Sequence, residues 1–143
     1  MSANNISVAR QSNPARRSTV AWLSTMFAAV LAPSLVWFAT VPIAGHELVA
    51  RVGPELQHVE LGAVTIGSAI AASLGMGLAS VLRRFHRFRR IWTIVALIAL
   101  ALSLLTPLGG TTTITVLVLL GMHLIVGGIV IAGGLALPVP SRA

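Results

Sequence analysis

Four stretches of this chain, 20–43, 61–82, 91–108 and 114–136, are apolar and contain no Asp, Glu, Lys or Arg. At about 1.5 Å per helical residue, each is long enough to cross a hydrocarbon layer about 30 Å thick, the third with little tilt to spare. The runs are continuous, whereas strands of a membrane barrel alternate polar and apolar residues. A helix also satisfies its own backbone groups where there is no water to do so. The connections, 44–60, 83–90 and 109–113, are short, so sequential helices run antiparallel. The expected fold is all-α: an integral membrane four-helix bundle, up-down-up-down, spanning 18–137 between a disordered basic tail (1–17) and a short C-terminal tail (138–143). The first run is too long for the apolar region of a signal peptide, about 7–15 residues, and reads as a retained span.

Composition supports the same reading. Charged residues make up 9% of the 143, against about 25% in an ordinary soluble domain, and mean hydropathy is +0.93. Ten arginines and three glutamates cannot coat a soluble domain of this size, so the apolar surplus must face lipid. There is no cysteine, which removes disulfides, thiolate nucleophiles, Fe–S clusters and Cys-ligated zinc together.

The net charge of +7 would suggest nucleic acid in a soluble protein, but its distribution points to topology, and no nucleic-acid partner is expected. Arg10, Arg16 and Arg17 precede the first span; Arg83, Arg84, Arg87, Arg89 and Arg90 join the second to the third; Arg142 follows the fourth. Arg51 and all three acids, Glu47, Glu55 and Glu60, fall on the other side. The positive-inside rule puts both termini in the cytoplasm, in a bacterial plasma membrane. Trp22 and Trp92 are expected at the inner interface and Trp37 nearer the outer one. The 83–90 connection interleaves its arginines with Phe85 and Phe88. It reads as a topology determinant that also attracts anionic headgroups, each arginine adding about 1 kcal/mol.

In lipid, helices associate through close backbone contact between small residues. The second span carries one at every fourth position, Ala63, Gly67, Ala71, Gly75 and Ala79, and the fourth has a shorter series, Gly128, Ala132 and Ala136. These are expected packing seams, within one chain or between two copies. Pro33 deletes a backbone hydrogen bond inside the first span, which predicts a kink; Pro107 terminates the third.

His123 is the only ionisable residue inside a span, and a group at that depth usually faces the bundle interior with a partner. Thr65, Ser68, Ser73, Ser103 and Thr106 are available to it. Ser103 and Thr106, on the adjacent third span, are the first choices. A haem is not expected, since no second ligand lies at that depth, and no other cofactor is implied. The outer connection holds His46, Glu47, His58 and Glu60, chemically suited to zinc but spaced like no known site. No nucleophile or oxyanion donor stands beside them. The absence of a carboxylate within the spans argues against ion-coupled transport.

The stretch Arg90-Ile91-Trp92, then Ser103-Leu104-Leu105-Thr106-Pro107-Leu108, then Met122-His123-Leu124, with a proline in the first span, is familiar as a set. Across 20–131 the chain resembles a family of small four-helix actinobacterial membrane proteins of unknown function. The resemblance implies four spans and carries over no catalytic residue.

Three functional readings follow. The first is a non-enzymatic accessory or organising component of a membrane complex, or a homo-oligomer. The second is a carrier or binder of a small lipophilic molecule in a pocket near His123 and the Pro33 kink. The third, a membrane enzyme or redox protein, has only His123 or the outer His/Glu group as equipment.

Overall fold

The computed structural model describes residues 14–138. Four helices long and apolar enough to cross a membrane make up most of it. The regular helices are α1 (Pro14–Phe38), α2 (Leu61–Leu82), α3 (Phe88–Ser103) and α4 (Thr113–Leu135); the first and third spans continue through the turns that follow α1 and α3, as Ala15–Ile43 and Phe88–Gly109. α1 begins within the expected basic tail, so Arg16 and Arg17 are helical. Pro14 stands at its first position, where the missing N–H costs nothing. Arg10 and the rest of the N-terminal tail lie outside the described residues, as does Arg142.

Several helix boundaries have a local cause. Pro33 sits inside α1 without ending it. Pro42 falls in a π-helical turn, Ala39–Ile43; with no N–H to offer, it cannot continue the regular ladder, and the wider turn releases the chain. At the start of α4, Thr112 Oγ1 accepts from the Thr115 amide at 3.1 Å, an N-cap that satisfies one otherwise unpaired donor. α3 leads into a 3₁₀ turn, Thr106–Gly109, that contains Pro107.

The connection between α1 and α2 holds an element the sequence reading did not anticipate: an antiparallel hairpin of β1 (Val49–Val52) and β2 (Glu55–His58). Its two-residue loop needs positive φ at the first position, and Gly53 supplies it at +63°. The hairpin is fixed at both ends. Trp37 Nε1, at the end of α1, donates to the Val59 carbonyl at 2.7 Å. On the other side, the Thr111 amide donates to the Val49 carbonyl at 3.0 Å, fastening the α3–α4 connection to β1.

The surface is what a lipid-facing protein needs. Phe27 is 69% exposed, Leu23 63%, Leu74 70% and Leu117 63%, and apolar side chains of this kind ring the helices. The buried residues form two clusters at opposite ends of the bundle. The cluster towards the α2–α3 connection joins Ala29 of α1, Ala72, Met76 and Ala79 of α2, Phe88, Trp92 and Ala96 of α3, and Val130 of α4. The cluster below the hairpin joins Leu48, Val64, Leu119 and Met122, with Val36, Trp37 and Val59 against them, and includes nothing from α3. α1 lies along α2 and α4, whereas α3 rests on α4 and leaves α2 as it runs towards the hairpin. The four helices are therefore not evenly spaced, and the gap is between α2 and α3.

Trp92 departs from the expected aromatic belt. It lies in the core, 1% exposed, with Nε1 donating to the Ile131 carbonyl at 3.1 Å. An indole can leave the interface when its one donor finds a partner inside.

Candidate ligand-binding cleft

The gap between α2 and α3 is a cleft of about 550 Å³. α4 forms its floor, Pro33 of α1 reaches it, and Val59 bounds it at the hairpin end. Its walls are almost wholly aliphatic. The polar side chains among the lining residues are Ser68, Ser103 and His123, plus the Trp92 indole, whose N–H is already engaged; His123 is the only ionisable one.

Much of the expected packing seam on α2 lines this cleft. Gly75 and Ala79 do pack closely, a Cβ on Gly75 running into Val130. Ala63, Gly67 and Ala71 are exposed on the cleft wall, and a Cβ added at Gly67 would meet nothing within 4 Å. The α4 series shifts too. Gly128, Ala132 and Ala136 face outwards, while the close contacts fall to Gly127 against Leu100, Gly133 against Thr25 and Gly134 against Trp92. Spacing at every fourth residue names a helix face but not its neighbour, and here α3 has moved away from the face in question. Paired glycines at 127–128 and 133–134 were visible in the sequence; that Gly127 is covered and Gly128 is not, while both Gly133 and Gly134 are, depends on the position of the neighbours.

The intramembrane polar residues are placed as follows. His123 is half-buried on the cleft wall. Its Nδ1 lies 2.8 Å from the Leu119 carbonyl one turn back. The ring thus pairs with its own helix and with neither Ser103 nor Thr106. A carbonyl can only accept, so Nδ1 carries the proton, and in the neutral ring Nε2 is a lone pair. Among the described residues no group bonds Nε2, and it is not sealed off. Ser103 lines the cleft and donates to the Leu100 carbonyl at 2.8 Å. Thr106 is exposed in the 3₁₀ turn, outside the lining.

Ser68 differs from most of the shielded helical hydroxyls. Thr25, Ser34, Ser80 and Ser103 each donate to a carbonyl one turn back, the usual way to satisfy a hydroxyl in lipid. Ser68 is 8% exposed, lines the cleft, and has no hydrogen-bond partner among the described residues. Its oxygen still reaches open space, so it faces the cleft.

The three polar residues meet at one level. Val64 and Leu119 share the cluster below the hairpin; one turn further along the parallel helices α2 and α4 come Ser68 and His123. Leu100 is the neighbour of Gly127, 2.6 Å from a Cβ built there. One turn from these towards the hairpin, on antiparallel α3 and α4, lie Ser103 and His123. Three helices therefore bring a hydroxyl, a hydroxyl and an imidazole to matching depth around an apolar space.

The profile of a family described as a family of unknown function, DUF6069, matches residues 13–136. The chain belongs to that family. The match runs through all four helices and the hairpin, so the cleft lies wholly within the DUF6069 region. No curated protein and no solved structure matches this DUF6069 chain.

The charged groups sit apart from the cleft. Arg83, Arg84 and Arg87 occupy the α2–α3 connection, and Arg89 and Arg90 the first turn of α3, with Phe85 55% exposed among them. In the α1–α2 connection Glu47 and His58 approach to 4.0 Å, both largely exposed. Among the described residues, no three His, Cys, Asp or Glu side chains come together as a metal site would require.

Proposed function

We propose that this DUF6069 protein is a membrane-embedded binder or carrier of a small lipophilic molecule, held in the cleft between α2 and α3. The observation that carries this reading is the cleft itself: about 550 Å³ of apolar space with His123 on its wall. That volume falls within the range of sites for drug-sized ligands, about 300–1,000 Å³, which are typically apolar with a few placed polar groups. The lining carries no carboxylate and His123 is its one ionisable group, a composition that suits holding an apolar molecule by a few polar contacts. Arginine placement supports a bacterial plasma membrane with both termini cytoplasmic, and Arg83, Arg84, Arg87, Arg89 and Arg90 would then meet anionic headgroups on the inner leaflet.

Native mass spectrometry of protein extracted in a mild detergent tests the binder. A stoichiometric small-molecule adduct is expected on the wild type and not on Gly67→Leu, whose side chain enters the open cleft. Should wild type and variant carry the same adducts, or none, the cleft is not the site.

A second reading, an accessory or organising component of a membrane complex or a homo-oligomer, draws on Gly128, Ala132 and Ala136, which face outwards from α4. Small residues there would let another helix approach closely. A stoichiometric second polypeptide or a second copy in the same spectra, lost in Gly128→Leu, would favour it.

A further inference from the structure

We infer that the molecule held in the cleft carries a hydroxyl group, as a lipophilic alcohol or phenol does, seated between His123 and Ser68. This rests on the cleft being a ligand site and adds the chemistry of what it takes. His123 Nδ1 is committed to the Leu119 carbonyl at 2.8 Å, so the neutral ring offers the cleft a lone pair at Nε2. A ligand bonding there must donate. The Ser68 hydroxyl, 8% exposed and without a partner among the described residues, offers the complementary O–H. Ser103 has spent its proton on the Leu100 carbonyl, leaving its oxygen to accept a second donor if the ligand has one.

A hydroxyl answers both open groups at once: its proton goes to Nε2 and its oxygen accepts from Ser68. A ketone or an ether can answer Ser68 but leaves Nε2 facing an acceptor. An aliphatic chain answers neither. Leaving a polar group unpaired in such a space is costly, so the lining discriminates by the proton. The rest of the molecule lies among Ala71, Leu74, Val95 and Ala99, and its size is set by the cleft's length between Val59 and Trp92.

The test uses full-length protein in lipid nanodiscs and three probes of similar length: para-decylphenol, its methyl ether, and decyl phenyl ketone. Affinities are read by native mass spectrometry or by competition. The phenol is expected to bind about tenfold tighter than the ether or ketone, the effect of one hydrogen bond in such a site. His123→Ala should bring the phenol down towards the ether while leaving ether affinity unchanged, whereas Ser68→Ala, which removes a donor that all three ligand oxygens can use, should weaken all three probes alike. His123→Gln, whose amide oxygen also accepts, should restore part of the preference, and it serves if His123→Ala fails to fold. Equal binding of all three probes, abolished by Gly67→Leu, would overturn the hydroxyl while leaving the binder standing. Preference for the ketone would mean that the imidazole presents N–H, and would likewise overturn it. If no probe binds, or Gly67→Leu changes nothing, the cleft is not a ligand site and both readings fall.

Discussion

The indole of Trp92 lies against the bare Cα of Gly134, and its Nε1 donates to the Ile131 carbonyl at 3.1 Å. A residue expected at the membrane surface thus ties α3 to α4 from inside the core. The arrangement requires that nothing project from position 134, because an added Cβ would run into the ring. Gly134→Ala should therefore destabilise the protein by about 1–3 kcal/mol through overpacking. Gly128→Ala, with nothing within 4 Å of the new methyl, should be neutral or stabilising by up to about 1 kcal/mol. Thermal unfolding in detergent, followed by near-UV circular dichroism of the tryptophans, separates the two. Equal effects would mean that the two glycines are equivalent and the close contact is not there.

Trp37 does for the hairpin what Trp92 does for α3. Its donation to the Val59 carbonyl at 2.7 Å joins the end of α1 to the strand leading into α2. Trp37→Phe keeps most of the apolar contact and removes the donor, at a cost of about 1 kcal/mol. The loss should be local: faster amide exchange in β1 and β2, with protection around Ala72, Met76 and Ala96 unchanged. Uniform acceleration would show that the hairpin is no separate unit.

Thr112 caps α4 through its bond to the Thr115 amide. Thr112→Ala should lower stability by about 1 kcal/mol, and Thr112→Ser, which keeps the acceptor, should recover most of it. Chemical or thermal unfolding of the three proteins decides; if Ser behaves as Ala does, the oxygen is not the cap.

Orientation can be read directly, since there are no native thiols. Gln57 on the hairpin and His86 in the arginine-rich connection are both exposed and lie at opposite ends of the helices. On intact cells a membrane-impermeant maleimide should label Gln57→Cys at once and His86→Cys only after permeabilisation. The reverse pattern would put the arginines outside and remove the basis for inner-leaflet headgroup contacts.

The sequence alone located α2 to the residue and α3 and α4 to within a few, because an uncharged apolar run is a property of the chain in any packing. It also singled out His123, since an ionisable side chain in such a run stands out wherever the helix sits. The hairpin went unread: eight strand residues around Gly53-Pro54 resemble an ordinary polar connection until Trp37 and Thr111 hold them.

What only the tertiary structure decided is which faces meet. Periodicity made Ala63, Gly67 and Ala71 a packing stripe, and they are one wall of a cleft. It proposed Ser103 and Thr106 as partners of His123, and the ring turned to its own backbone, leaving Nε2 and the Ser68 hydroxyl open. The physical reason is that span length and polarity are set by the energy of each residue in lipid, one at a time. Contact between helices depends on where Trp92, Leu100 and Val130 find room against Gly134, Gly127 and Gly75. Those fits draw the N-terminal end of α3 into the core and let its C-terminal end stand away from α2. A cleft is the space such fits leave over, and no single helix encodes it.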